Sequence, residues 1–136
     1  FVTLQNDQAL ENGRDSDWIL GMYPPQEEDS YLIGKYPTHT VNAGEHLEGK
    51  VGLLTNLEGN CGDGNVTFQI KYTIDNEISS MSSLWEGEER CDGTLQKIDI
   101  DLSDLDGKEI QFYLIIITNT VSEQNRAIWD SLVVKK

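Results

Sequence analysis

With 136 residues the chain has the size of one domain, and its 12 glycines and 38% hydrophobic content suit strands and loops better than a helical bundle. Its formal charge of −14, from 24 acidic against 10 basic residues, argues against nucleic acid, which binds proteins through Lys and Arg, and against anionic membrane surfaces. No segment approaches the ~20 apolar residues of a membrane-spanning helix, so membrane insertion is not expected.

The first 45 residues are the least regular. "DSDWILGMYPPQEEDSYLIGKY" mixes aromatic residues with Pro24 and Pro25, and reads as a long loop carrying two short strands. "THTVNAGEH" supplies a turn, and "HLEGKVGLL" then alternates through Leu47, Gly49, Val51 and Leu53. "NVTFQIKYTIDN" is the clearest element. Val66, Phe68, Ile70, Tyr72 and Ile74 alternate with polar residues, the period of a half-buried strand. After a turn at "DNE", Ile78 to Trp85 reads as a weaker returning strand, and "GEERCDGT" as a charged loop. Thr94 to Leu102 is a third strand, with Ile98, Ile100 and Leu102 on one face.

"SDLDGK" makes a tight connection, one helical turn opened by Ser103. "EIQFYLIIITN" is apolar on both faces, so it is central in its sheet or covered by a loop. Ala127 to Val134 closes the chain as a last strand in which Trp129 alternates with Ala127 and Val133, facing the core, while Asp130 points away. No segment has a convincing helical period. Residues 1–136 therefore read as a single all-β domain, an antiparallel β-sandwich.

If the three strands after Cys61 run up, down and up, Cys61 and Cys91 both lie at one rim of the sandwich. That arrangement favours a Cys61–Cys91 disulfide over two free buried thiols. The chain starts with Phe1 rather than Met, as expected of a processed or trimmed chain, or of a piece of a larger protein.

The succession "GEHLEGKVGLL", "GNVTFQIKYTIDN", "LQKIDIDLSDLDGKEIQFYLII", "NRAIWDSLVV" resembles the carbohydrate-binding modules of secreted bacterial proteins that have the galactose-binding-like jelly roll. The resemblance covers about residues 44–134. It implies a jelly-roll sandwich, a non-catalytic role, an oligo- or polysaccharide partner, other domains of a larger chain as neighbours, and a secreted, extracellular location. Galactose-binding-like sandwiches often carry a structural calcium, so one such ion is the cofactor the resemblance implies. The acidic stretches "RDSDW", "PQEEDS", "GNCGDGN" and "IDIDLSDLDG" offer oxygens, but none has EF-hand spacing and no ligand set follows. The chain departs from the pattern in its N-terminal third and at "QNRA", so the family's ligand residues are not carried over.

A sugar site needs an aromatic face for the apolar side of a pyranose and planar polar groups for its hydroxyls. Trp18 and Trp85 lie amid polar residues, with Asp17, Glu86, Glu88 and Arg90 as hydroxyl partners; Tyr23, Tyr31 and Tyr36 form a second aromatic group. The alternative for each Trp is packing, with Trp18 capping the bottom of the sandwich and Trp85 shielding an edge. "NVT" at Asn65 is a glycosylation sequon, relevant only in a eukaryotic secretory host. No motif fixes a nucleophile or a paired acid beside His39 or His46, so no catalytic residue is assigned and no enzyme is expected. The rival to carbohydrate binding is a structural or adhesive cell-surface or fibre subunit acting through protein contacts.

Overall fold

The computed structural model describes residues 2–6, 18–55, 61–122 and 124–136, with backbone alone for 2–6 and 18. Among the described residues, ten strands form two antiparallel sheets. The first has the order β1 (Val2–Asn6), β2 (Trp18–Met22), β10 (Ala127–Lys135), β5 (His46–Leu53), β8 (Gln96–Asp101). The second has the order β3 (Tyr31–Lys35), β9 (Glu109–Thr118), β6 (Asn65–Ile74), β7 (Ser82–Arg90), and the two-residue β4 (His39–Thr40) also pairs with β9. Among the described residues there is no α-helix, only two 3-10 turns, η1 (Ile78–Ser80) and η2 (Ser103–Leu105).

The sheets face each other through alternate side chains. Leu47, Val51 and Leu53 of β5 and Ile98 of β8 meet Val66, Phe68 and Ile70 of β6 and Phe112, Leu114 and Ile116 of β9, all buried. Trp129 lies at the centre of this layer, 1% exposed. Its ring meets Phe68 edge-on, with centroids 5.0 Å apart, a geometry that adds about 0.5–1.5 kcal/mol beyond area burial. Its indole N–H donates to Met22 Sδ at 3.1 Å, so the one polar group of the indole is satisfied by a soft acceptor within the core. Met22 belongs to the first sheet, yet a Cβ placed on Gly34 of the second would stand 3.5 Å from its Cε. Met22 thus touches both layers.

The central position of β9 explains its two apolar faces. Phe112, Leu114 and Ile116 point into the core, whereas Tyr113 and Ile115 are buried on the outer side between β3 and β6. The stretch "DSDWILGMYPPQEEDSYLIGKY" does carry two short strands, β2 and β3, one in each sheet, and β1 and β4 also precede residue 45.

Four details differ from the sequence expectation. First, β7 begins at Ser82 and runs through "GEER", which reads as part of a loop, while Ile78–Ser80 is a 3-10 turn. The apolar alternation is hidden because two inward positions are Gly87 and Glu89. Second, the strand expected over Thr94 to Leu102 spans Gln96–Asp101, and it crosses to the other sheet, where it pairs with β5. Third, Val133 does not alternate with Trp129. A bulge between Asp130 and Val133, with Ser131 at φ 53°, shifts the phase, turning Leu132 and Val134 inward and leaving Val133 42% exposed. Gly49 lies beside this bulge, and a Cβ there would sit 3.0 Å from Leu132 Cα. Fourth, the turn after β8 is not capped by Ser103. Asp101 Oδ1 accepts the Ser103 backbone N–H at 2.9 Å.

Cys61 and Cys91 form a disulfide with Cα atoms 5.4 Å apart. It stands at one rim because Asn65, at the start of β6, pairs with Arg90, at the end of β7. The sharing of a rim is as expected, but the strand that brings Cys91 there is β7.

Two stability outcomes follow. Trp129→Ala is expected to lower the free energy of unfolding by about 3–5 kcal/mol, through lost burial and the cavity left behind. The double variant C61A/C91A, opening a link between residues 30 apart, is expected to lose about 3–4 kcal/mol in the chain-entropy account. Urea titration followed by tryptophan fluorescence or circular dichroism measures both.

Candidate functional site

The outer face of the second sheet is set by register. Tyr31 stands beside Ile117, Ile117 beside Thr67, and Thr67 beside Glu88. In the next row on that face come Ile33, Ile115, Gln69 and Glu86, and in the third Lys35, Tyr113 and Lys71. Two apolar columns on β3 and β9 therefore lie against a polar column on β6 and an acidic one on β7. Tyr31 is 61% exposed and Ile33 46%, although both flank the buried Ile115. Together with Asp29, Gln69, Lys71 and Ile117 they line a trough of about 220 Å³. That is smaller than the ~300–1,000 Å³ of enclosed ligand pockets, as suits a shallow surface site.

Polar groups around the trough are held in place. Gln69 Nε2 donates to Glu86 Oε1 at 2.7 Å, fixing the planar amide beside the carboxylate. Arg90 Nε donates to Glu88 Oε1 at 2.6 Å farther along β7. Asp29 adopts φ 62° at the turn into β3, and its backbone N–H donates to the Thr118 carbonyl at 2.9 Å. The arrangement offers a flat apolar shelf with acceptors and donors along one side. It can hold a ligand that has one apolar face and a hydroxylated edge.

The residues singled out from sequence are distributed among several places. Glu86, Glu88 and Arg90 share the outer face with this trough. Trp85 alternates away from them: it stands opposite inward-facing Ile70, is half-buried against the core, and a Cβ on Gly87 would come within 2.8 Å of its ring. Tyr23 packs near Ile19, Leu54 and Ile128 in a separate cluster. Tyr36 is half-buried, meets Phe112 edge-on at 6.4 Å and donates its hydroxyl to the Leu132 carbonyl at 2.9 Å. Asp17 and the side chain of Trp18 lie outside the described residues. Of the aromatic residues named from sequence, Tyr31 stands on the trough. Sequence reasoning missed its partners Ile33, Ile115 and Ile117, because their adjacency depends on the pairing of β3 with β9, strands far apart in the chain.

Beside the disulfide rim, Asn65, Thr67, Asn119, Asn125, Ser122 and Asp63 form a hydrogen-bonded group. Asn119 Nδ2 donates to Asn65 Oδ1 at 3.0 Å, Asn65 N–H to Asn125 Oδ1 at 2.8 Å, and Ser122 Oγ to Asp63 Oδ1 at 2.6 Å. The sequon asparagine thus spends its side-chain oxygen inside the fold. Among the described residues, no three His, Cys, Asp or Glu side chains converge into a group that could hold a metal ion.

No protein-family model and no curated protein matches the sequence. Solved structures do match the fold. One is TmCBM61, a carbohydrate-binding module, in complex with β-1,4-galactotriose, with a TM-score of 0.57 and 10% identity, covering 99% of this chain and 88% of that one. The two chains share a β-sandwich fold.

The turn between β4 and β5 carries the clearest perturbed acid. Glu45 is held below the ordinary carboxylate range, first by the Asn42 backbone N–H and then by His39, whose Nε2 lies 3.0 Å from Glu45 Oε1. A carboxyl lowered in the folded state contributes stability that is complete above its unfolded pKa and is lost as pH falls through the lowered folded value. We therefore expect Glu45→Gln to lower the melting temperature at neutral pH, and the gap from wild type to close on acidification below the carboxylate range. Thermal scans across pH check this.

Proposed function

We propose that this chain is a secreted, non-catalytic carbohydrate-binding module that holds a neutral oligosaccharide on the outer face of β3, β9, β6 and β7. The observation that carries the reading is the exposed Tyr31–Ile33 shelf, continued by Ile115 and Ile117 and edged by Gln69, Lys71, Asp29 and Glu86. A pyranose presents C–H groups on one face and hydroxyls around its rim, and such a shelf takes the first while the flanking amide, ammonium and carboxylates take the second. A tyrosine supplies large contact area at low entropic cost. The fold it shares with TmCBM61, seen with galactotriose, and the disulfide, which forms in oxidising compartments, support the same reading. In this account Glu86 and Gln69 are hydroxyl partners, and Arg90 orients Glu88. Trp85 serves the edge of the core.

The test is binding of neutral oligosaccharides, β-1,4-galacto-oligosaccharides first, by calorimetry and by retardation in polysaccharide gels. Tyr31→Ala is expected to weaken binding by about tenfold or more, ~1.4 kcal/mol, with an unchanged unfolding transition. Trp85→Ala is expected to lower stability and spare affinity. No binding across the panel, or full affinity in Tyr31→Ala, refutes the proposal. Self-association rising with concentration, and abolished by Tyr31→Ala, instead assigns the shelf to protein contacts, as in an adhesive or fibre subunit.

A further inference from the structure

The opposite face of the molecule has a second and larger trough, about 420 Å³, over β5, β8 and β10. Its chemistry differs from that of the apolar shelf. Lys50, Lys97 and Lys135 line it together with Glu48 and Asp130. Three of the chain's 10 basic residues thus gather in one depression of a protein with formal charge −14.

Register puts Lys50 directly beside Lys97 on adjacent strands. Like charges at such positions repel, which disfavours the pair unless an anion bridges it. Of the two carboxylates lining the trough, one meets Lys135, and the other flanks Lys50 without forming an ion pair. Glu48 Oε2 lies 3.0 Å from Lys135 Nζ, and Asp130, which stands beside Lys50 on its other flank, accepts the Ser131 hydroxyl at 3.1 Å. Among the described residues neither Lys50 nor Lys97 has an ion-pair partner. The β10 bulge and Gly49 shape the trough at this point.

We propose that the trough between Lys50 and Lys97 is an oxyanion site that receives one carboxylate or sulfate group of an acidic saccharide. The saccharide part rests on the function proposed above; the anion site stands on the lysines. Two ammonium groups can each donate a charge-assisted hydrogen bond to one oxyanion. The net negative charge repels long polyanions, but at ~0.1 M salt that repulsion is screened over ~10 Å. The site therefore suits isolated acidic groups on an otherwise neutral chain.

The experiment is an NMR titration of the whole chain at low ionic strength with sodium glucuronate, sodium sulfate and glucose. Glucuronate is expected to shift the amides of Lys50 and Lys97, and glucose to leave them unmoved. Lys50→Gln and Lys97→Gln are expected to weaken glucuronate about tenfold, as is added salt, with little change in melting temperature, since each removes one repulsion along with the attraction to neighbouring carboxylates. Sulfate matching glucuronate shows that charge alone is read; glucuronate alone acting shows a carboxylate site with sugar contacts, and both support the proposal. No shift with either anion, or shifts that persist in both lysine variants, overturn it. Loss of glucuronate binding in Tyr31→Ala overturns it too, by placing the anion on the other face. Should neutral oligosaccharides fail to bind while the anion shifts remain, the anion site stands and only the saccharide reading falls.

Discussion

The contact among Trp129, Phe68 and Met22 is the constraint on which the rest depends. It joins a residue of β10 and a residue of β2, both in one sheet, to β6 in the other, and it satisfies the indole N–H without water. Once the largest side chain of the interior is fixed there, the phase of β10 is fixed with it. Inward Trp129 places Asp130 outward, and the bulge at Ser131 then restores Leu132 and Val134 to the core. The recess used by the charged trough is thus a by-product of seating one aromatic ring and still closing the sandwich behind it.

The interior is largely apolar, with Glu89 turned in at its β7 border, and the two outer faces differ by what the strands carry on their alternate positions. On the second sheet those positions are tyrosine and isoleucine on β3 and β9, then amide and carboxylate on β6 and β7. On the first they are lysines and acids on β5, β8 and β10. Rigid strands present both surfaces, and the disulfide and the asparagine group secure one rim between them.

Much of the fold was legible where alternation is strict. β6 declares its inward face through Val66, Phe68 and Ile70, and β9 declares its central place by being apolar on both faces. The first part of β7, up to Trp85, was legible as a returning strand, but its second half was not, because its inward positions are Gly87 and Glu89, and an edge strand tolerates that since it packs on only one neighbour. Val133 misled because a bulge adds one residue to the count without any mark stronger than "DS". The candidate site was legible only in fragments. Tyr31 and Glu86 stand out by type, but the shelf exists because β3 pairs with β9 and β9 with β6, and long-range register is not written in local sequence.

The exposed border of β7 has a consequence for crowding. A free strand offers unpaired backbone groups to any similar strand that approaches, and such borders can zip molecules together. Here the approach meets Glu86, Glu88 and Arg90 pointing out and Glu89 turned in. Copies brought side by side at this seam would set carboxylates against carboxylates, a charge conflict that disfavours strand-to-strand joining along this border.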